Sequence, residues 1–438
     1  MTKEIFKSAL LGESYEKISH SSGLDIYVLR KEFTSTYAIF GVKYGSVNNR
    51  FMIENGSELT VPDGIAHFLE HKLFFNEDGS DSFERFSEYG ADANAYTSFN
   101  KTAYLFSCTD NFESSLRELL RFVTHPYFTE ESVSAEVGII TEEIKMYDDN
   151  PSDRCFYGML EGMYEKHSIR RNICGSAESI AQITPEILYQ CYNAFYNLNN
   201  MALVICGNID TDAVIRIANE ELSTYSAKFT AKPTNENDSE NPSVFCPYVE
   251  QRMHVSKPIF NIGIKDTDIP SDPTERLKKD TIMSILDEMI FSTSGKLYNE
   301  LLEQGSISPN MSYGYTISPS AAYNSIAGEA DDPKAVLNAI LDHIDKLRDE
   351  GLSYNDFIRE KRVIYAEFIK SFDSTESIAN DLLTFAFEGS ELFSYADMIQ
   401  SVSFEDICEA LKNAFDKDKI TLSVILPNES NIKEKKYD

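Results

Sequence analysis

Strand-period alternation opens the chain. In GLDIYVLRKEF (23–33) and TYAIFGVKYGSV (36–47) apolar residues recur at every second position, as in strands that bury one face. The period then lengthens. DSFERFSEYG reads as a short helix ending at Gly90, KTAYLFSCTD as a strand, and NFESSLRELLRFVTHP as an amphipathic helix stopped before Pro126. A strand, NMALVICGNID, closes this half near residue 210, and a helix from about Thr211 to Tyr225 follows it. Residues 226–245, rich in Asn, Pro, Ser and Thr, read as an exposed linker. Beyond it the plan repeats in outline. A strand, KPIFNIGIKD, precedes one long helix from about Pro273 to Gln304, a strand around MSYGYTI, two more helices and a last strand, KITLSVILPNES. That last strand echoes NMALVICGNID by placing an apolar run before a turn near the end of its half. Strands and long helices without regular βα alternation predict an α+β fold, a mainly antiparallel sheet packed by helices in each half. The boundaries expected are 1–225, the linker 226–245, and 246–438.

Length and composition narrow the class. With 438 residues, 42% hydrophobic and 25% charged, the chain has enough apolar surface for two or three cores, and no run approaches the roughly 18 apolar residues of a membrane span. The opening MTKEIFKSALLGESYEK lacks the uninterrupted apolar stretch of a secretory signal, so a cytoplasmic location is expected. Seven scattered cysteines without a CxxC pair argue against a disulfide framework or a cysteine-based zinc site. A net charge of −31 with no compensating basic cluster excludes nucleic acid and anionic membrane as expected partners.

The chemistry concentrates in DGIAHFLEHKLFF, residues 63–75. On a helix His67 and His71 stand at i and i+4, so both imidazoles leave one face and can hold one cation. Glu70 shares that face, where a carboxylate can take a proton from water activated by the metal. The order is H-x-x-E-H. A catalytic zinc has three protein ligands and an open position, and EVGIITEEIKMYDDNP (136–151) offers further carboxylates. Glu136 and Glu143, at i and i+7, share a helical face, while Glu142 is turned about 100° away. That face could carry a ligand and an orienting carboxylate, although the spacing equally describes an acidic helix facing water. In NAYTSFNKTAY, Asn94 and Ala95 sit where a strand of small residues could offer its edge to an extended peptide. The histidines at 20, 125, 167, 254 and 343 lack chelating spacing and read as surface or capping residues. KMYDDNPSDR reads as a turn with helix caps.

HFLEH followed by EVGIITEEIKMYDDNP resembles the inverzincin zinc peptidases, the family of pitrilysin, insulysin and the mitochondrial processing peptidase, and most closely its short bacterial members. The likeness extends through GADANAYTSFNKTAYLF and PYFTEESV and covers most of residues 20–220. It implies two homologous domains facing each other across a cleft and one zinc ion per chain. The ligands implied are His67, His71 and Glu143, with Glu70 as general base, Glu136 in a supporting catalytic role, and Asn94 and Ala95 as substrate contacts. It also implies a zinc endopeptidase acting on unfolded peptides or leader segments. One part of the pattern is missing. Self-sufficient members carry an arginine near the end of a long helix and a tyrosine shortly after, but GKLYNELLEQGSISPNMSYGY has no arginine, and Leu302 stands in its place. Tyr313 and Tyr315 follow without a cationic neighbour. A same-fold partner subunit supplying the arginine and tyrosine is therefore expected, with a non-catalytic scaffold or peptide-binding subunit as the alternative.

Overall fold

The computed structural model describes residues 1–53, 56–225, 230–233 and 240–428. The chain divides into two compact units that are not contiguous in sequence. The first comprises Met1–Ile144, Asn172–Thr234 and Ile369–Phe393, the second Lys145–Arg171, Asn235–Phe368 and Ser394–Asp438. Segments thus cross both of the boundaries read from the sequence. Of the linker 226–245, residues 226–229 and 234–239 lie outside the described residues.

Fifteen strands occur among the described residues. They are β1 (Thr2–Ser8), β2 (Glu13–Ser19), β3 (Asp25–Arg30), β4 (Thr36–Val42), β5 (Arg50–Met52), β6 (Glu58–Thr60), β7 (Asp92–Thr97), β8 (Thr102–Cys108), β9 (Met201–Gly207), β10 (Lys232–Pro233), β11 (Tyr248–Met253), β12 (Ile259–Asp266), β13 (Ser312–Ile317), β14 (Ala322–Glu329) and β15 (Ile420–Pro427). The first unit holds a seven-stranded sheet in the order β1-β2-β3-β9-β4-β8-β7, and β10, β5 and β6 form a small separate sheet. β4 and β9 are buried along their whole length, so β4, whose alternation predicted one buried face, buries both.

The second unit holds a five-stranded sheet, β11-β15-β12-β14-β13. Its plan matches β3-β9-β4-β8-β7 strand for strand. In each, the last strand inserts parallel to the first and antiparallel to the second, and a hairpin completes the far edge. The echo between NMALVICGNID and KITLSVILPNES is the same inserted strand seen twice. The structure is therefore two α+β domains of one design, each a mainly antiparallel sheet packed by helices.

Each sheet is covered by a helix drawn from the other half of the sequence. Pro151–Met163 packs on β11, β12 and β15, and Thr375–Glu388 on β4 and β9. Small residues allow these approaches. A Cβ on Gly162 would stand 2.4 Å from Thr421 Cγ2, and one on Gly41 would stand 2.8 Å from a Leu383 methyl. The helix Pro151–Met163 starts where KMYDDNPSDR was read as a cap: the Asn150 side chain accepts from the amides of Ser152 and Asp153, and proline occupies the first turn.

Several elements depart from the sequence reading. The single helix 273–304 is two, Pro273–Phe291 and Lys296–Glu303, because the Ser-Thr-Ser-Gly stretch between them favours turn conformations over a helix interior. Five α-helices, not two, separate β14 from β15; β1 and β2 form a hairpin that no sequence segment had marked, and β14 joins the expected β13. His20 is buried rather than at the surface and bonds Ser22 and Asn219, whereas His167, also buried, is a capping residue as expected: its Nδ1 accepts from the Ile169 amide. No helix among the described residues is long and apolar enough to cross a membrane.

A buried ion pair fastens the second unit. The Glu240 carboxylate accepts from the backbone amides of Glu165, Lys166 and His167, and meets Lys265 Nζ at 3.2 Å. Lys265 also donates to the carbonyls of Met163 and Asn241. Burial pushes the Glu240 carboxyl pKa up, but the three amides and the ammonium outweigh it and bring the group down to about 2. A depressed carboxyl contributes stability above its unfolded value near 4.5 and loses it as pH falls towards 2. Glu240→Ala, which strands a buried ammonium, is expected to cost about 3–5 kcal/mol. Calorimetry at neutral pH should show a lowered Tm, and the wild-type advantage should shrink below pH about 4.

Candidate functional site

The helix Ile65–Leu73 begins at Gly64, whose φ of 88° is left-handed and favours glycine. A Cβ there would lie 2.4 Å from the Cys174 carbonyl oxygen, and one on Gly175 (φ 74°) would lie 2.5 Å from the Asp63 carbonyl oxygen. The two glycines let the segments 63–64 and 174–175 touch. Ser179 Oγ donates to the Asp63 carbonyl and secures the contact.

His67 and Glu70 are each only 7% exposed, although they are polar, and both project from this helix. Glu143 reaches them from the helix Glu130–Asp148. Its Oε1 lies 3.6 Å from His67 Nε2 and its Oε2 lies 3.5 Å from His71 Nε2. These separations exceed a good hydrogen bond. They match the edge of about 3.4 Å expected of a tetrahedron with ligand bonds near 2.1 Å. His67 Nδ1 is buried and has no hydrogen-bond partner among the described residues. One carboxylate thus faces two imidazoles, at distances too long for good hydrogen bonds, and this donor set fits a divalent zinc ion.

The carboxylate Glu136, one helical face with Glu143, takes a different place. Its Oε1 is 3.1 Å from His71 Nδ1 and its Oε2 is 3.3 Å from the buried Lys72 ammonium. Accepting from Nδ1–H leaves Nε2 of His71 with a lone pair directed at Glu143. Glu142 is exposed. Glu70 accepts a 2.6 Å hydrogen bond from Thr97 Oγ1, and Thr97 in turn lies 3.2 Å from Thr102 Oγ1.

Burial and charge set the protonation states. Burial, aided by the charge of His71, takes His67 down to about 3, so its ring is neutral near pH 7 and its lone pair is available. Burial raises Glu70 to about 7, against the Thr97 hydrogen bond and the nearby His71. A carboxyl poised there suits proton transfer at neutral pH. Burial also lowers His71, but the Glu136 hydrogen bond and the charges of Glu70, Glu136 and Glu143 outweigh it and hold that imidazole above its usual value. Glu136 is pushed up by burial and down, more strongly, by His71 and Lys72.

Asn94 and Ala95 lie on β7, the terminal strand of its sheet, which among the described residues pairs with β8 alone. Asn94 is exposed. The same strand carries Thr97, so the sheet edge and the hydroxyl that bonds the Glu70 carboxylate belong to one element. Tyr313 and Tyr315 lie in the second unit, where their hydroxyls donate to Glu288 (2.9 Å) and Asp266 (2.8 Å). Burial and those carboxylates raise both phenols well above their usual range.

Three contributors escaped the sequence reading. Thr97 was within a quoted segment, but only as a strand former. Lys72 adjoins the motif without any spacing rule to single it out. Cys174, whose Sγ lies 3.9 Å from His67 Nε2, comes from a loop about a hundred residues away in sequence.

The chain is similar to known proteins along most of its length. Residues 46–177 match the family described as insulinase (peptidase family M16), and residues 182–364 match the peptidase M16 inactive domain. "Uncharacterized zinc protease YmfH" of Bacillus subtilis (strain 168) is 39% identical over 418 residues, which cover 94% of this chain and 96% of that protein. The crystal structure of a putative M16-like peptidase from Alicyclobacillus acidocaldarius superposes with a TM-score of 0.91 at 29% identity, covering 97% of this chain and all of that one. A protease from Helicobacter pylori shares the fold, with a TM-score of 0.81 at 16% identity over 94% of this chain and 99% of that one. Two α+β domains of one design, with an H-x-x-E-H helix in the first, define a peptidase of the pitrilysin type. The chain belongs to the insulinase family, peptidase family M16.

Proposed function

We propose that this chain is a cytoplasmic zinc endopeptidase that cleaves unfolded peptides or leader segments and works as the zinc-bearing subunit of a heterodimer. The observation that carries the catalytic part is the Glu143 carboxylate facing Nε2 of His67 at 3.6 Å through one oxygen and Nε2 of His71 at 3.5 Å through the other, with Glu70 on the histidines' helix and bonded to Thr97 instead. When bound, zinc supplies Lewis-acid polarisation of the scissile carbonyl and acidifies a water molecule. His67 and His71 would hold the ion through Nε2 and Glu143 through its carboxylate. Glu136 orients His71 through Nδ1 and, with Lys72 beside it, stays ionised. Glu70 removes the proton of the attacking water and delivers it to the leaving amine. The edge of β7 at Asn94 and Ala95 receives the substrate backbone as an added strand, which tolerates varied side chains.

The missing arginine and the engagement of Tyr313 and Tyr315 by carboxylates support the second part of the reading. A partner of the same fold that lacks H-x-x-E-H supplies the arginine and tyrosine that steady the substrate carbonyl. Zinc content and cleavage of an unfolded peptide, measured for this chain alone and mixed with such a partner, test both parts. Loss of cleavage on chelation and recovery with zinc are expected, with a faster rate in the mixture. Equal rates with and without the partner would remove the heterodimer from the proposal.

Thr97→Val is expected to lower kcat about tenfold with KM and zinc content unchanged, because Glu70 loses its positioning bond while the metal donors stay in place. Steady-state kinetics with metal analysis would check it.

A further inference from the structure

Besides the two imidazoles and the carboxylate, the buried wall of the site contains a thiol. Cys174 is 5% exposed, and its Sγ, His67 Nε2 and a Glu143 carboxylate oxygen all lie within 4.8 Å of one another. These three donors come from separate segments: the motif helix, the helix Glu130–Asp148 and the loop 172–175. The loop is held in place. Cys174 N donates to Asn172 Oδ1 at 2.9 Å, Gly175 N donates to the Asn172 carbonyl, and the paired glycines at 64 and 175 press its backbone against the start of the motif helix. His67 Nδ1 has no partner among the described residues, and Nε2 has Cys174 Sγ at 3.9 Å and Glu143 Oε1 at 3.6 Å as neighbours.

We propose that Cys174 is a further metal donor, so that the site holds a divalent cation in two donor sets. One is His67, His71 and Glu143, which leaves a position for water. In the other the Cys174 thiolate joins all three of these donors and fills that position. This rests on the metal site proposed above and extends it to the choice of ion. A tetrahedral ion with a sulfur bond near 2.3 Å and a nitrogen bond near 2.1 Å places those donors about 3.6 Å apart. The 3.9 Å separation therefore needs a shift of a few tenths of an ångström, within reach of rotation about one side-chain bond. On binding, the metal–sulfur bond forms, the S–H bond breaks, and the proton leaves to solvent. Soft donors favour soft ions, so the thiolate set selects cadmium-like thiophilic cations over harder ones. In that set the chain carries its own closing ligand, and a thiophilic ion at the site holds it without an open water position.

The test loads the purified full chain with Co(II), and separately with Cd(II), and compares it with Cys174→Ser and Cys174→Ala. Thiolate-to-metal charge-transfer absorption is expected in the wild type and absent from both variants. Cd(II) affinity should fall about 10- to 100-fold in the variants, while Co(II) still binds to them with a spectrum typical of nitrogen and oxygen donors. Co(II) binding to the wild type without charge-transfer absorption, or absorption that persists in the variants, overturns the role of Cys174 and leaves the His67, His71 and Glu143 site standing. If neither ion binds the wild type, both proposals fall. Thermal unfolding of the metal-free variants, compared with wild type, separates loss of a donor from loss of the fold.

Discussion

Glu70→Gln is expected to lower peptide hydrolysis about 10²- to 10⁴-fold while zinc stays bound. The amide has the shape of the carboxyl and still offers an oxygen to Thr97 Oγ1, which now donates to Glu70 at 2.6 Å. What it lacks is a site for the proton of the attacking water. The metal donors are untouched, because Glu143 and not Glu70 lies between the two Nε2 atoms. Nor should the fold suffer. Burial has already raised Glu70 to about 7, so a neutral replacement relieves a buried charge. Turnover, zinc by elemental analysis and Tm are measured together. An unchanged rate removes Glu70 as base; loss of zinc with the rate would move it into the ligand set.

The second large effect is expected at Glu143. Changing it to glutamine should weaken zinc binding by well over the 10- to 100-fold typical of an orienting residue, while Glu136→Gln should stay within that range. The two carboxylates sit seven residues apart on one helical face, yet they meet different atoms. Glu143 approaches the Nε2 atoms of both histidines at 3.5 and 3.6 Å, whereas Glu136 bonds Nδ1 of His71 and the ammonium of Lys72. Removing the first takes away the anion of the donor set; removing the second leaves His71 in place but less firmly held. Competition for zinc against a chelating dye would rank them. Equal losses in the two variants would contradict the division of roles drawn from these distances.

Much of the site was legible before any coordinates because its chemistry is local. Three and four residues along a helix bring side chains to one face whatever surrounds them, so His67, Glu70 and His71 could be grouped from their numbers alone. The same rule paired Glu136 with Glu143, but it could not say which faced a metal and which faced a histidine. Thr97 and Cys174 were out of reach for the same reason: each meets the motif across a sheet edge or a loop contact, and no periodicity encodes that. In the fold, the apolar runs at 201–207 and 420–427 marked equivalent buried strands, because a central strand must be apolar on both faces. The weakly patterned edges, β1 and β2 above all, did not reveal themselves, since an exposed strand need not be apolar.

By itself the sequence determined the elements that local periodicity commands, the pairing of two histidines with a glutamate, the absence of the expected arginine, and the repetition of one plan in two halves. Only the tertiary structure decided which carboxylate joins the imidazoles, that a hydroxyl holds Glu70, that a thiol borders His67, and that each sheet takes its covering helix from the opposite half of the chain. Helical and strand periods arise from bonds between near neighbours, whereas these outcomes depend on packing between segments up to several hundred residues apart. The close approach at Gly64 and Gly175 belongs to the second kind. Two residues without side chains, far apart in sequence, let two backbones touch and thereby bring Cys174 beside His67.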